Sequence, residues 1–232
     1  MQTEEILRLA VEGINFCENG GALDEYLDVR LSESESRRSV SSILFNYFRN
    51  KGIVDFYIDK FCKGKTRPGV RRILSAVFTQ ILYQSAVPVP VLADVAVSFA
   101  RKNEGRGAAM FVNAMIRQLA RHRKAMTEED RNIVEGKRVP KILLDRWKKN
   151  FSKEGLGGII DAIKAIPIFT FRAVSENVDA VKGLNCMKVE GLEFLNKFKF
   201  FVTEEPGAVL DSCAMRDGKI YVQDPADRKS VV

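Results

Sequence analysis

Between residue 3 and about residue 125 the apolar positions recur at helical spacing. Val40, Ile43, Leu44, Tyr47 and Phe48 stand at i, i+3, i+4, i+7 and i+8, which gathers them on one face of a helix. The same spacing returns at Val54, Tyr57, Ile58, Phe61 and Cys62, and again at Val70, Ile73, Leu74, Val77, Phe78, Ile81 and Leu82. Ile6, Leu9, Ala10 and Gly13 open the chain in the same way. VPVP at 87–90 interrupts the pattern. Proline is tolerated in the first turn of a helix, so a new helix carrying Leu92, Val95, Ala96 and Phe99 is predicted to start there. Gly105 and Gly107 mark the next connection, and Ala108, Phe111, Val112, Met115, Ile116 and Leu119 form a further stripe. These segments predict a bundle of at least six helices.

The pattern changes at RHRKAMTEEDRNIVEGKR, which reads as a connector. Within it Thr127, followed by Glu128, Glu129 and Asp130, is suited to cap one short helix, because acidic side chains favour a helix N-terminus. Pro140 opens a helix with Leu143, Leu144 and Trp147, and Leu156, Ile159, Ile160 and Ile163 make another. Beyond Pro167 the period becomes two. Phe169, Phe171 and Ala173 alternate with Thr170 and Arg172, FKFFV is short and aromatic, and DGKIYVQD follows an Asp-Gly turn with Ile220 and Val222 on one face. The predicted fold class is mainly α, a helical bundle followed by a small α+β domain. The expected boundaries are 1–126 for the bundle, 127–138 for the connector and 139–232 for the second module, with no internal repeat.

Charge sharpens this picture. Of the net +7, residues 1–50 contribute −4, residues 51–150 contribute +12 and residues 151–232 contribute −1. A local surplus of that size attracts polyanions, of which nucleic acid is the usual one in a cytoplasmic protein; the alternative is a solvated basic face that serves solubility. Apolar runs are far shorter than the roughly 20 residues of a membrane span and the N-terminus is acidic from Glu4, so neither a membrane segment nor a leader is expected. The four cysteines, at 17, 62, 186 and 213, form no CxxC, and there is one histidine. That argues against a zinc site or a disulfide framework and for a reducing, cytoplasmic setting.

Few residues offer chemistry of their own. His122 sits among Arg121, Arg123 and Lys124 with no acidic or thiol partner within a turn, so it reads as a surface or phosphate-contacting residue rather than a general base. The serines at 34, 36, 39, 41 and 42 lack a nucleophile elbow and read as capping or loop residues. AVLDSCAMRDGK at 208–219 superficially suits the glycine-rich start of a methyltransferase cofactor site, but its turn holds one glycine and no helix, strand and acidic residue follow. It reads as a loop feeding an Asp-Gly turn and an edge strand. Cys186 and Cys213 read as buried or idle thiols. The pairs Glu4/Glu5, Glu128/Glu129 and Glu204/Glu205 stand at helix starts or in loops without a surrounding apolar pocket, so no catalytic and no metal residues are assigned.

What remains is a basic set: Arg71 and Arg72 on the helix of the Val70–Leu82 stripe, Arg101 and Lys102 at a helix end, and Arg117, Arg121, Arg123 and Lys124 on the last helix of the bundle. Arg117 and Arg121 are four apart and face away from Phe111, Met115 and Leu119, a geometry that follows a phosphate backbone.

The run from PGVRRILSAVFTQILYQS through VPVPVLADVAVSFARKNEGRGAAMFVNAMIRQLAR resembles the NusB-type helical RNA-binding domain, most specifically at FVNA, residues 111–114. The order that follows, VPKILLDRWKKNFSKEG, IPIFTFRAV and GKIYVQDPA, resembles the linker module of the bacterial rRNA cytosine-C5 methyltransferases of the RsmB (Sun/Fmu) group, most specifically at YVQDPA, residues 221–226. TFRAV keeps Arg172 but has Val174 where that group has an asparagine, and the chain ends in DPADRKSVV where the group's S-adenosylmethionine domain begins.

The resemblance implies a NusB-like bundle and a linker domain whose own activity is to bind ribosomal RNA, with Arg172 added to the contacting residues. It implies no cofactor in this chain. The complete enzyme would use S-adenosylmethionine and a nucleophilic cysteine, both carried by a catalytic domain that is separate or missing. The alternative is a stand-alone antitermination or assembly factor of the NusB type, and a third reading is an interaction protein without RNA function.

Overall fold

The apolar stripes become the long helices of the N-terminal part. The computed structural model describes residues 2–32, 34–62, 64–127, 134, 136–164, 168–174, 178–190 and 199–224. Helix α1 spans Gln2–Glu18, α2 Arg37–Arg49, α3 Lys51–Phe61, α4 Pro68–Tyr83, α5 Val89–Glu104 and α6 Arg106–Ala125. α4 lies in the middle and packs against α1, α2, α3, α5 and α6. Residues 73–81 of α4 are accordingly all buried. Two of its three interior polar residues return their side chains to the helix's own backbone, as when Thr79 Oγ1 donates to the Ser75 carbonyl at 2.7 Å. Such pairing removes most of the penalty for burying a hydroxyl or amide. Around α4 sit Leu7, Ile14, Val40, Leu44, Tyr47, Tyr57, Ile58, Phe99, Val112, Ile116 and Leu119, each at most 9% exposed. Full burial of one such aliphatic or aromatic side chain stabilises the fold by about 1.5–3 kcal/mol.

Between α1 and α2 the chain makes a short helical turn at Leu23–Glu25 that runs into a π-helical turn at Tyr26–Arg30, neither of which the apolar pattern announces. Tyr26 is buried there, and its hydroxyl donates to the Leu9 carbonyl at 2.7 Å. Pro68 and Pro90 occupy the first turns of α4 and α5, the latter as expected. The α5–α6 connection is shorter than the sequence suggested. Gly105 alone forms it, at φ +91° and ψ 174°, backbone that is open essentially to glycine only, while Gly107 already belongs to α6. Beyond the bundle, Arg138 donates to Asn50 Oδ1 at the α2–α3 junction, and α7, Lys141–Asn150, opens behind Pro140. The predicted Thr127-capped helix falls on 128–133, outside the described residues.

The chain divides into two compact units, Met1–Lys153 and Glu154–Val232, so the division falls after the Pro140 helix and not within 127–138. The second unit holds α8, Lys153–Lys164, apart from its first residue, and four strands: β1 Phe169–Ala173, β2 Met187–Lys188, β3 Lys199–Thr203 and β4 Ile220–Val222. They form one antiparallel sheet in the order β2-β3-β1-β4, with Phe171 opposite Phe201 and Val222. Phe171, Ala173, Phe201 and Ile220 share one face and build a small core with Val209. Val222, expected to join them, is 47% exposed at the sheet edge. The 208–219 segment is not a loop. Helix α9, Pro206–Leu210, buries Val209, and α10, Cys213–Arg216, is capped by Ser212, whose hydroxyl accepts from the Met215 amide at 3.1 Å. The Asp217-Gly218 turn and edge strand β4 then follow as predicted.

Candidate nucleic-acid interface

α6 holds five lysines and arginines and no acidic residue in its 20 positions. Its apolar stripe, Ala109, Val112, Met115, Ile116 and Leu119, is buried against the bundle, which forces the remaining positions outward. Arg106, Met110, Arg117, Arg121 and Lys124 are all exposed. At 100° per residue they fall within one narrow sector, a row about 27 Å long at 1.5 Å per residue. The side chains of Arg106, Arg117, Arg121 and Lys124 make no ion pair among the described residues; Arg121 Nε donates only to the Arg117 carbonyl, at 3.4 Å. Arg101, exposed on α5 four residues before Gly105, has no ion pair among them either. The glycines on either side of Arg106 give it the local character of a loop and hide it in the sequence. Its place at i−11 from Arg117 was the available signal.

Arg71, Arg72, Lys102 and Arg123, by contrast, have partners within the bundle. Arg71 donates from Nη1 to Asp59 Oδ1 at 2.7 Å and from Nη2 to Asp55 Oδ1 at 2.9 Å, tying α4 to α3. The hydrogen bond to Asp59, reinforced by Asp55 against partial burial, holds the guanidinium proton more tightly than usual. Arg72 Nε donates to Glu18 Oε2 at 2.6 Å, joining α4 to α1. Lys102 Nζ meets Glu4 Oε1 at 2.6 Å, but both side chains are well exposed. Arg123 donates to the Ile81 carbonyl, one of the last-turn acceptors of α4 that the helix itself leaves open, where a cation also suits the helix dipole. His122 is half-buried rather than on the surface. Its ring stands edge-on to Tyr57 and Phe61, and its Nε2 lies 2.7 Å from Lys60 Nζ.

Arg172 belongs to the second unit. It lies opposite Tyr221 and Phe200 in the sheet register, on the face away from Phe171, with its guanidinium 5.3 Å from the centre of the Tyr221 ring. Cys17 and Cys186 are half-buried, and burial pushes both thiols up; Cys213 is exposed. The 208–219 segment does not fit a cofactor loop, because its backbone amides are engaged in α9, α10 and the Asp-Gly turn. A cavity of about 510 Å³ opens at the start of α4 between Lys65, Thr66, Arg67 and Phe111. The Glu104 carboxylate stands over Gly69 there, so a negative charge already faces that helix end. Among the described residues no group of three or more His, Cys, Asp or Glu side chains is placed to hold a metal ion, and no helix is long and apolar enough to cross a membrane.

The sequence model of the NusB family matches residues 5–121, half of the chain. No curated protein matches. Among solved structures, one described as the crystal structure of PH0851 superposes with a TM-score of 0.57 at 15% identity, covering 95% of this chain and 53% of that one. The chain thus spans about half the length of the structure it matches, and the likeness concerns the fold.

Proposed function

Because the chain belongs to the NusB family, we propose that its helical unit binds RNA along the outward row of α6. One observation carries this reading: Arg106, Arg117, Arg121 and Lys124 share an exposed stripe, with Arg101 near its start, and none of them is neutralised by a neighbouring acid among the described residues. Five free cations, roughly a counterion released for each, give a salt-sensitive grip on phosphates of any sequence. Ion-paired Arg71 and Arg72, and Arg123 on its carbonyl, stand behind this row as braces, and Lys102 is available only by leaving Glu4.

The finer reading is that the chain is the RNA-orienting part of an rRNA cytosine-C5 methyltransferase. S-adenosylmethionine and the bond-making cysteine would then belong to a separate catalytic domain, and Arg172 would add an RNA contact from the second unit. The second unit, with its own sheet and core, favours this over a stand-alone antitermination factor, which has no evident use for it. The test is fluorescence anisotropy with a ribosomal RNA fragment from 50 to 200 mM salt. Arg117→Glu combined with Arg121→Glu is expected to weaken binding at least tenfold while the melting temperature stays within a few degrees, since exposed substitutions change stability by about 0.5 kcal/mol or less each. Unchanged affinity in the folded double variant would reduce the row to a solubility device.

A further inference from the structure

The exposed face of α2 carries a second pattern. Arg38, Ser42, Phe45 and Arg49 stand at i, i+4, i+7 and i+11, so they form one stripe opposite the buried Val40, Ile43, Leu44 and Tyr47. All four are exposed, Phe45 to 48%. Helical rise sets the ring about 10 Å from the Arg38 position and about 6 Å from the Arg49 position. The side chains of Arg38 and Arg49 make no hydrogen bond or ion pair among the described residues, and the helix contains no acidic residue.

Fold stability accounts for Arg49, which stands in the last turn where a cation suits the helix dipole, but not for Arg38. A cation in the first turn of a helix opposes the helix dipole. Arg37, beside it, is compensated by Asp28 at 2.6 Å and by the Leu27 carbonyl, whereas Arg38 is not. The two free arginines also stand out against an N-terminal segment, residues 1–50, whose net charge is −4. A half-bare aromatic ring between two free cations has the composition of a single-strand binding surface: the ring takes the face of an unpaired base and the cations take the flanking phosphates.

We propose that Arg38, Phe45 and Arg49 form a second RNA subsite that stacks one unpaired base on Phe45. The subsite rests on the RNA-binding reading of the bundle and adds to it a preference for single-stranded over duplex substrate, which a row of cations on α6 does not provide.

The experiment uses the full chain with two fluorescein-labelled probes, an unstructured 12-nucleotide RNA and the same strand annealed to its complement. Base stacking on an aromatic side chain is worth about five- to 150-fold in affinity. Phe45→Leu, which keeps the apolar bulk and loses the ring, is therefore expected to weaken single-strand binding at least fivefold and duplex binding less than twofold, while Phe45→Tyr restores it. Arg38→Gln with Arg49→Gln, both exposed and safe for folding, is expected to lower the single-strand salt slope by about 1.4. Unchanged single-strand affinity in Phe45→Leu and in the double arginine variant, with the α6 double variant impaired, overturns the subsite and leaves the RNA reading standing. No binding of either probe by the wild-type chain overturns both. Loss of a protein partner in Phe45→Leu with RNA affinity intact assigns the face to protein and also overturns the subsite.

Discussion

Arg71→Gln and Arg121→Gln each remove one positive charge from the bundle, yet the structure predicts opposite consequences. Arg121 faces solvent without an acidic partner among the described residues, so its loss removes one phosphate contact. The log-log dependence of affinity on salt then becomes shallower by about 0.7 on a single strand and about 0.9 on a duplex. Stability barely changes. Arg71 instead bridges Asp55 and Asp59, with its side chain 32% exposed and theirs 23% and 66%. Two charge-assisted bonds at that partial exposure stabilise the fold by about 1–2 kcal/mol together, between the worth of a surface pair and that of a buried one. For a chain of this size that lowers the melting temperature by about 2–8 °C. Anisotropy titrations at four salt concentrations, paired with thermal melts followed by circular dichroism, separate the two effects, because non-specific loss of charge is the same in both variants. If Arg71→Gln flattened the salt slope as much as Arg121→Gln and left the melt unmoved, the assignment of the α4 arginines to bracing would be wrong.

Two further outcomes follow from single residues. Burial, with help from Glu12, pushes the Tyr26 phenol up to about 12, whereas an unfolded tyrosine titrates near 10; its share of stability is therefore intact below pH 10 and is lost as the pH rises toward 12. Urea titrations at pH 9 and pH 11.5 are expected to show a smaller alkaline loss in Tyr26→Phe than in the wild-type chain. At Gly105 an added Cβ meets nothing within 4 Å, so the roughly 1–3 kcal/mol that Gly105→Ala is expected to remove is torsional alone. An equal melting temperature for the two chains would refute that.

The long helices were legible because burial on one face leaves a 3.6-residue imprint; the stripes read in α1 through α6 centre on buried positions, with members such as Ile6, Phe48, Val95 and Phe111 only partly buried, and Leu7 and Ile14 of α1 and the continuous buried run 73–81 of α4 go beyond them. Shorter features leave no such imprint. β2 has two residues, both exposed, and takes its place from pairing with β3. α9 and α10 are too short to show a period, and the one local signal was the Ser212 cap, which resembled a loop. At the candidate interface the sequence located the basic helix but could not sort its cations from those of α4. That sorting depends on Glu18, Asp55 and Asp59, which lie 54, 16 and 12 positions from their arginine partners and meet them only once the helices pack.

The one-residue junction at Gly105 also limits how this chain can vary in length. Each residue inserted or deleted there turns α6 by about 100° relative to α5. A single insertion that kept the apolar stripe buried would have to be absorbed at the junction as a bulge, which requires a second residue free of torsional restriction. One that kept the helix intact would swing Arg117 and Arg121 toward the flank and bring Ile116 and Ala120 in their place. Length variation is accordingly expected between α1 and α2, where the links are irregular, and excluded between α5 and α6, where a shift of one residue would scramble the row.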